Sequence, residues 1–217
     1  MSRNLILAWT SGPQCSSEFA GSLVSAVTSP RVHPWLHQVV RIGSGPVIAN
    51  ARNRHVRRLL DSPAEWLLQL DADMVFTPDA LALLIESGHP DLSPIVGGLY
   101  CGTGETGTDP WPEAGWFTPD GFRHLDPGSA SGLADVDFAG AGALMVHRRV
   151  FEDLATRHDP AAPWFAEAIR DGRIDGEDWE FCRRATEAGY PVLVNTDARF
   201  GHVKTGVLWP APREDHR

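Results

Sequence analysis

The chain has 217 residues, of which 42% are hydrophobic and 22% charged, values typical of one soluble globular domain. Lysine and arginine number 19 against 28 aspartates and glutamates, so the formal net charge is −9. This acidic balance argues against a general nucleic-acid coat or a binder of anionic membranes. No apolar run approaches the roughly 20 residues of a membrane span, and 3 widely spaced cysteines indicate neither a disulfide framework nor a zinc site. We therefore expect one domain over residues 1–217, located in the cytoplasm.

The first 100 residues alternate between two hydrophobic periodicities. Short apolar or β-branched runs predict strands and amphipathic stretches predict helices. In chain order these are a strand at Leu5–Trp9, a helix at Ser16–Thr28, a strand at Gln38–Ile42, a helix at Val47–Leu60, a strand at Trp66–Leu70, a helix at Pro78–Glu86 and a strand at Ile95–Tyr100. This alternation predicts an α/β fold, with a mostly parallel central sheet flanked by helices.

The second half of the chain is less regular. Residues 101–134 are rich in Gly and Pro and contain Trp111 and Trp116, which predicts a long flexible loop or a small hairpin excursion that acts as a lid. The remaining predicted elements are a strand at Asp135–His147 broken by Gly140-Ala-Gly142, a helix at Arg148–Arg157, a helix at Asp178–Ala188, a strand at Pro191–Asn195 and a polar tail from Lys204.

Asp71-Ala-Asp73 is the strongest chemical signal in the sequence. It follows an apolar strand, and ligands of open α/β sheets bind beyond the carboxyl ends of their strands. Two carboxylates one residue apart can present one oxygen to a divalent cation and another to a ribose or a bound water, and Mg²⁺ and Mn²⁺ prefer such hard oxygen ligands. A polar turn after a strand explains the same pattern without any ligand.

Gly201-His202 lies a few residues beyond the last predicted strand. An imidazole beside a carboxylate suits Mn²⁺, which makes His202 a candidate second ligand. The following Lys204 has the charge to neutralise a diphosphate. A hydrogen-bonded loop histidine and a solvated lysine are the structural alternatives.

Gly176-Glu-Asp-Trp-Glu180 opens a predicted helix. Acidic residues in a first turn commonly just complement the helix dipole. In a functional interpretation, Asp178 or Glu177 is a general base or accepts a hydrogen bond from a substrate hydroxyl. The dipole is expected to hold the pKa of Asp178 low.

A dinucleotide-binding site is not predicted. Gly102-Thr-Gly-Glu-Thr-Gly107 matches the GxGxxG pattern, but the Thr-Asp-Pro-Trp-Pro that follows cannot open the helix whose N-terminus would hold a pyrophosphate.

Several segments together resemble the GT-A glycosyltransferases, in particular DxD-containing, family 2-like members. These are Ala49-Asn-Ala-Arg-Asn53, Trp66-Leu-Leu-Gln-Leu-Asp-Ala-Asp-Met-Val-Phe76, Ile95–Tyr100, Asp137-Phe-Ala-Gly-Ala-Gly-Ala-Leu-Met-Val-His-Arg-Arg-Val-Phe151, Gly176–Tyr190 and Gly201-His202. The matches run in the family's order over roughly residues 5–205. The resemblance implies a nucleotide-sugar-binding half at 1–100, the loop at 101–134, and an acceptor and metal half at 135–205.

The resemblance also implies roles for individual residues. Asp71 and Asp73, with Ala72 between them, would contact ribose and hold Mn²⁺ or Mg²⁺, and His202 would complete the metal site. Arg52 would contact nucleobase or diphosphate, Thr10 and Ser11 would line the base pocket, and Lys204 would contact the diphosphate. Asp178, with Glu177 as its competitor, occupies the position of the catalytic base in inverting members.

The sequence thus predicts a metal-dependent enzyme of the hexosyltransferase type, which moves a sugar from a UDP- or GDP-sugar to an acceptor hydroxyl. The acceptor is left open among a saccharide, a small molecule and modified DNA, for which Arg54, Arg57 and Arg58 would form a basic strip. A catalytically inactive nucleotide-sugar-binding module is one alternative. A nucleotidyltransferase-like enzyme is another, although the segment after the first strand lacks a basic phosphate loop.

Overall fold

The structure is a computed structural model that describes residues 4–103, 109–128, 131–170, 172–204 and 207–210. Part of the GxGxxG run, at 104–108, and the end of the polar tail lie outside the described residues. Within the described ranges no helix has the length and apolar character that crossing a membrane requires.

The described residues form helices and strands over nearly the whole chain. The helices are α1 (Ser17–Val27), α2 (Ile48–Leu60), α3 (Pro78–Glu86), α4 (Arg148–Arg157) and α5 (Glu177–Glu187), with a 3-10 turn at His33–Trp35. The strands are β1 (Leu5–Ser11), β2 (Leu36–Gly43), β3 (Trp66–Asp71), β4 (Met74–Val75), β5 (Ile95–Leu99), β6 (Cys101–Thr103), β7 (Pro110–Pro112), β8 (Ala114–Thr118), β9 (Gly121–His124), β10 (Leu133–Val136), β11 (Phe138–Ala139), β12 (Ala143–His147), β13 (Ala168–Arg170), β14 (Arg173–Asp175), β15 (Val192–Arg199), β16 (Gly201–Val203) and β17 (Val207–Leu208).

A seven-stranded central sheet has the order β10-β15-β5-β12-β3-β1-β2. Strands β1, β2 and β3 are mutually parallel, and β15 is parallel to β5. β12 lies antiparallel between β3 and β5, and β10 is antiparallel to β15 at the edge. The predicted α/β fold with a mostly parallel sheet is therefore confirmed, and the two antiparallel strands are additions that the sequence did not predict.

Helices cover both faces of this sheet because alternate strand residues point to opposite sides. From β1, Ile6 packs into one apolar layer with Val56 of α2, and Leu7 packs into the other with Phe19 of α1 and Leu81 of α3. The sheet is thus buried on both faces, and its strand ends are left to carry polar groups.

The described part of the excursion after β5 contains short paired strands. β6 pairs with β7, β8 pairs with both β9 and β11, and β10 joins the central sheet. The described strands of this segment pair as hairpins, and a flexible loop that acts as a lid stays a prediction. The expected break in the strand at 135–147 is confirmed, since β11 and β12 flank Gly140–Gly142.

His55 of α2 is fully buried against the sheet, where its Nδ1 lies 3.2 Å from Gln69 Oε1 of β3. Burial and, to a smaller extent, the charge of Arg52 lower the pKa of His55 to about 4, against the hydrogen bond to Gln69. The folded protein therefore binds a proton here less readily than the unfolded chain, whose histidine titrates near 6.5. Stability from this residue is complete above about pH 6.5 and is lost as the pH falls towards 4.

We predict that replacing this histidine flattens the pH profile of stability. Between pH 7 and pH 5 the buried His55 should cost the wild type about 2 kcal/mol of unfolding free energy, and His55→Gln should lack that loss. Urea unfolding followed by circular dichroism at both pH values measures it, with the exposed His37→Gln as matched control. Equal pH slopes in wild type and His55→Gln would contradict this assignment.

Candidate active site

A cavity of about 490 Å³ opens beyond the carboxyl ends of β1 and β3. These strands are paired in register, so that Thr10 lies opposite Asp71, and the Thr10 hydroxyl donates to Asp71 Oδ1 at 3.3 Å. Ser11 accepts a 2.8 Å hydrogen bond from Arg41. The cavity is lined by five predicted site residues, Thr10, Ser11, Asp71, Ala72 and Asp73. Parallel pairing therefore brings together residues that lie 61 positions apart in the sequence.

Asp73 meets His202 and Lys204 at one side of this cavity. The short strands β4 and β16 pair with His202 opposite Met74, next to Asp73, and the Val203 amide donates to the Asp73 carbonyl at 2.8 Å. Asp73 Oδ2 lies 3.1 Å from His202 Nε2 and 3.3 Å from Lys204 Nζ. Burial raises the pKa of Asp73, but the hydrogen bonds and charges of His202 and Lys204 outweigh it, so the pKa is lowered overall.

The hydrogen bonds of His202 fit a cation at this position. Its Nδ1 lies 2.9 Å from the Cys101 carbonyl, which can only accept, so Nδ1 carries a proton. In a neutral imidazole, Nε2 then presents a lone pair to the Asp73 carboxylate. Two acceptors face each other in this state, and a proton or a metal ion between them removes the conflict. One nitrogen and one carboxylate oxygen suit Mn²⁺ and, with phosphate oxygens and water, also Mg²⁺.

Asp71 does not join this pair. Among the described residues, no group of three or more His, Cys, Asp and Glu side chains is arranged to hold a metal ion. Asp71 instead accepts a hydrogen bond from Arg52 at 3.1 Å. A metal held by Asp73 and His202 would therefore take its other ligands from a donor molecule and from water, and a contribution from Asp71 stays a prediction.

Arg52 links the cavity to the first turn of α5. Its side chain is 3% exposed, and its guanidinium binds Asp71 at 3.1 Å, Glu177 at 2.8 Å and the Ala141 carbonyl at 2.9 Å. The resemblance implied a contact between Arg52 and the nucleotide. Its partners in the structure are protein groups that come from the end of β3, from α5 and from the bend before β12. A contact with a donor stays a prediction.

Asp178 lies beside this ion pair and faces the bend at Gly140–Gly142. Its carboxylate accepts hydrogen bonds from the amides of Ala141 at 3.3 Å and Trp179 at 2.9 Å. The expectation of a low pKa is wrong, because burial and then the neighbouring Glu177 raise the pKa of Asp178 to about 6, against Arg52 and the two amides. A carboxylate of this pKa is mostly ionised at neutral pH and is a stronger base than an exposed aspartate.

The bend itself is shaped by two glycines. A Cβ atom on Gly140 would overlap the Tyr100 hydroxyl, and one on Gly142 would lie 2.9 Å from the same ring. In the space that is left, the Gly142 amide donates to the Tyr100 hydroxyl at 3.1 Å. This close approach turns the Ala141 amide towards Asp178 and the Ala141 carbonyl towards Arg52.

Glu113 is a further carboxylate at the site, and the sequence interpretation missed it. Its backbone is held on both sides, because its amide donates to the Tyr100 carbonyl at 3.0 Å and its carbonyl accepts from Gly140 at 2.8 Å. The side chain fills space that Gly102 leaves open, since a Cβ there would overlap Glu113 Oε1. Burial, and then the charge of Asp178, raise the pKa of Glu113 to about 7. Gly102 and Gly140 leave the space that Glu113 occupies, but this relation can be recognised only once the pairing of the hairpins is known.

Comparison with solved structures gives 152 matching chains. A197 from STIV aligns over 99% of this chain and 100% of its own, with a TM-score of 0.55 and 13% identity. GalNAc-T7, solved with UDP, GalNAc and Mn²⁺, aligns over 94% of this chain with a TM-score of 0.61 and 14% identity. This chain spans 44% of the length of GalNAc-T7. The comparisons with protein-family models and with curated proteins give no match. The chain therefore has a mixed α/β fold similar to that of a GT-A glycosyltransferase.

We predict that Arg52 is needed for stability as well as for the geometry of the site. Arg52→Met would leave Asp71 and Glu177 facing each other without a cation, and we expect a loss of about 3 kcal/mol. Arg52→Lys keeps the charge but cannot reach three partners, so its loss should be intermediate. Urea unfolding measures both, with the exposed Arg57→Met as matched control. A loss below about 1 kcal/mol in Arg52→Met would argue against the role of this ion pair.

Proposed function

We propose that the protein is a metal-dependent glycosyltransferase that moves a sugar from a UDP- or GDP-sugar to an acceptor hydroxyl. One observation carries the proposal: a buried ion-pair network, from Asp71 through Arg52 to Glu177, connects a cavity at the strand ends to a carboxylate with a raised pKa, Asp178. A transferase of this kind needs a donor site and a base that are held in fixed relation to each other.

The donor would lie in the cavity between β1 and β3. Thr10 and Ser11 would contact the nucleoside, and Asp73 with His202 would hold Mn²⁺ or Mg²⁺. The bound metal would neutralise the charge that develops on the departing diphosphate, and Lys204 would add a positive charge at the same end. The similarity to GalNAc-T7, whose structure holds UDP and Mn²⁺, supports this assignment.

On the acceptor side, the geometry favours Asp178 over Glu177 as the base. Glu177 is engaged by Arg52 at 2.8 Å and would act as a positioning residue. In the proposed step the acceptor oxygen forms a bond to the anomeric carbon of the donor sugar. The bond from that carbon to the diphosphate breaks, its electron pair leaves with the nucleoside diphosphate, and the acceptor proton passes to Asp178.

We predict that nucleotide binding depends on a divalent metal through Asp73. Asp73→Ala removes one of the two protein ligands, and EDTA removes the ion, so both should abolish most of the affinity for UDP or GDP in Mn²⁺-containing buffer. Titration calorimetry measures this. Asp79→Ala is the control, because Asp79 forms an exposed ion pair with Arg31 and does not line the cavity. Unchanged affinity in both treatments would remove the metal site from the proposal.

We predict that Asp178→Asn lowers sugar transfer by about 10²–10⁴-fold while nucleotide binding survives, since the amide keeps the shape of the side chain but lacks its basicity. Glu177→Gln should lower transfer less, because Arg52 retains Asp71 and Ala141 as partners. Transfer and donor hydrolysis are to be measured with a panel of UDP- and GDP-sugars. A wild-type rate in Asp178→Asn would show that the base lies elsewhere.

The pH profile provides an independent reading of the same residue. Asp178 acts when ionised, so kcat should rise with pH through about 6 and then level off. Glu113→Gln should keep this inflection, although Glu113 itself has a raised pKa of about 7. If Glu113→Gln still transfers sugar but its kcat no longer changes with pH near 6, Glu113 and not Asp178 controls the pH dependence.

A further inference from the structure

A second cavity, of about 450 Å³, lies between the β8–β9 hairpin, the β13–β14 hairpin and the first turns of α5. It shares no lining residue with the cavity between β1 and β3. A concave site of this size is large enough for a small molecule or for the end of a chain molecule.

One wall of this cavity is aromatic. Trp179 lies 5.2 Å from Phe117 and 4.8 Å from Phe122 between ring centroids, and it packs on the buried Phe138 behind it at 4.9 Å. All three lining rings keep part of their surface exposed. Partly exposed aromatic faces of this kind offer a stacking surface to the C–H groups of a ligand.

The polar lining of the cavity is electrically balanced, and part of it lies against the rings, because the Arg183 guanidinium stands 4.5 Å from the centroid of the Phe117 ring. Arg170 and Arg183 stand against Asp120 and Asp175 among the described lining residues. Each guanidinium is already paired, with Arg183 3.2 Å from Asp175 and Arg170 2.8 Å from Glu180. The charges of the described lining residues therefore balance, which argues against a nucleotide or DNA in this cavity. Carboxylates that accept and guanidinium groups that donate in pairs suit vicinal hydroxyl groups.

We propose that this cavity binds a saccharide and that, given the function proposed above, the saccharide is the acceptor substrate. Partly exposed ring surface next to paired polar groups in one cavity matches the two kinds of surface of a sugar ring, one of C–H groups and one of hydroxyls. Trp179, which lines this cavity, and Asp178, which faces the bend at Gly140–Gly142, are neighbours in the first turn of α5, so this turn joins the cavity to the proposed base. Sugar units held here would supply binding energy that orients the reacting hydroxyl.

The test is capture of saccharides by the full-length protein on a printed oligosaccharide array, without nucleotide. The hits are then titrated in solution. Phe117→Ala removes one ring of the aromatic lining, and Arg170→Ala removes a partly exposed guanidinium on β13 that pairs with Glu180. We expect each to weaken binding of the captured saccharide about tenfold or more. Ile174→Ala is the matched control, because Ile174 is 73% exposed and lies on β14 without lining the cavity.

The outcomes separate this inference from the proposed function. Titration with UDP and GDP, run on the same proteins, should give wild-type affinity in all three variants and thereby also show that they fold. No capture on the array, or equal capture by Phe117→Ala and Arg170→Ala, would overturn the saccharide site even if nucleotide binding is intact. Saccharide binding that is lost in the two variants, together with no binding of UDP or GDP, would support the cavity and count against the proposed transferase.

Discussion

The buried guanidinium of Arg52 is the constraint from which the rest of the site follows. A charge with a side chain only 3% exposed is stable in a protein only if anions and carbonyls replace the water it has lost. Asp71, Glu177 and Ala141 provide this replacement, and they lie 19, 125 and 89 residues from Arg52 in the sequence. The requirement to surround one cation therefore pins the end of β3, the start of α5 and the bend before β12 to a single point.

The bend at Gly140–Gly142 extends that constraint to the carboxylate of Asp178. Because Tyr100 occupies the space where side chains of residues 140 and 142 would stand, the backbone passes close enough for the Ala141 amide to reach Asp178. Two amide donors lower the pKa of Asp178, and burial beside Glu177 raises it by more. The position is thus acidic enough to be ionised at neutral pH and basic enough to take a proton. Helix dipole alone would have made it a weaker base.

The predictable part of the site is the part set by regular structure. Asp71 and Asp73 follow a buried strand, and Thr10 and Ser11 follow its parallel neighbour, so the sheet itself makes them meet. The sequence also named His202 as a candidate ligand, but β4 and β16, which bring it to Asp73, have 2 and 3 residues and are too short to carry a hydrophobic period. Glu113 stands in a Gly- and Pro-rich stretch whose hairpins depend on distant contacts with Tyr100 and Gly140. Likewise, the antiparallel insertion of β12 is a tertiary feature that local patterns do not encode.

Amino-acid substitutions in the hairpins affect other groups than substitutions in the central sheet do. These hairpins lie between β5 and β12 and between α4 and α5. Together with Trp179 and Arg183 of α5 they form the walls of the second cavity, whereas Arg52 and the strand ends belong to α2 and the central sheet. Substitutions at Phe117, Asp120 or Arg170 alter groups at the periphery, and the buried charge network keeps its partners. Divergence within a lineage, or deliberate exchange of hairpins in the laboratory, can therefore alter which molecule is recognised while Arg52 keeps its three partners. Variation at Arg52 or Ala141 has no such freedom.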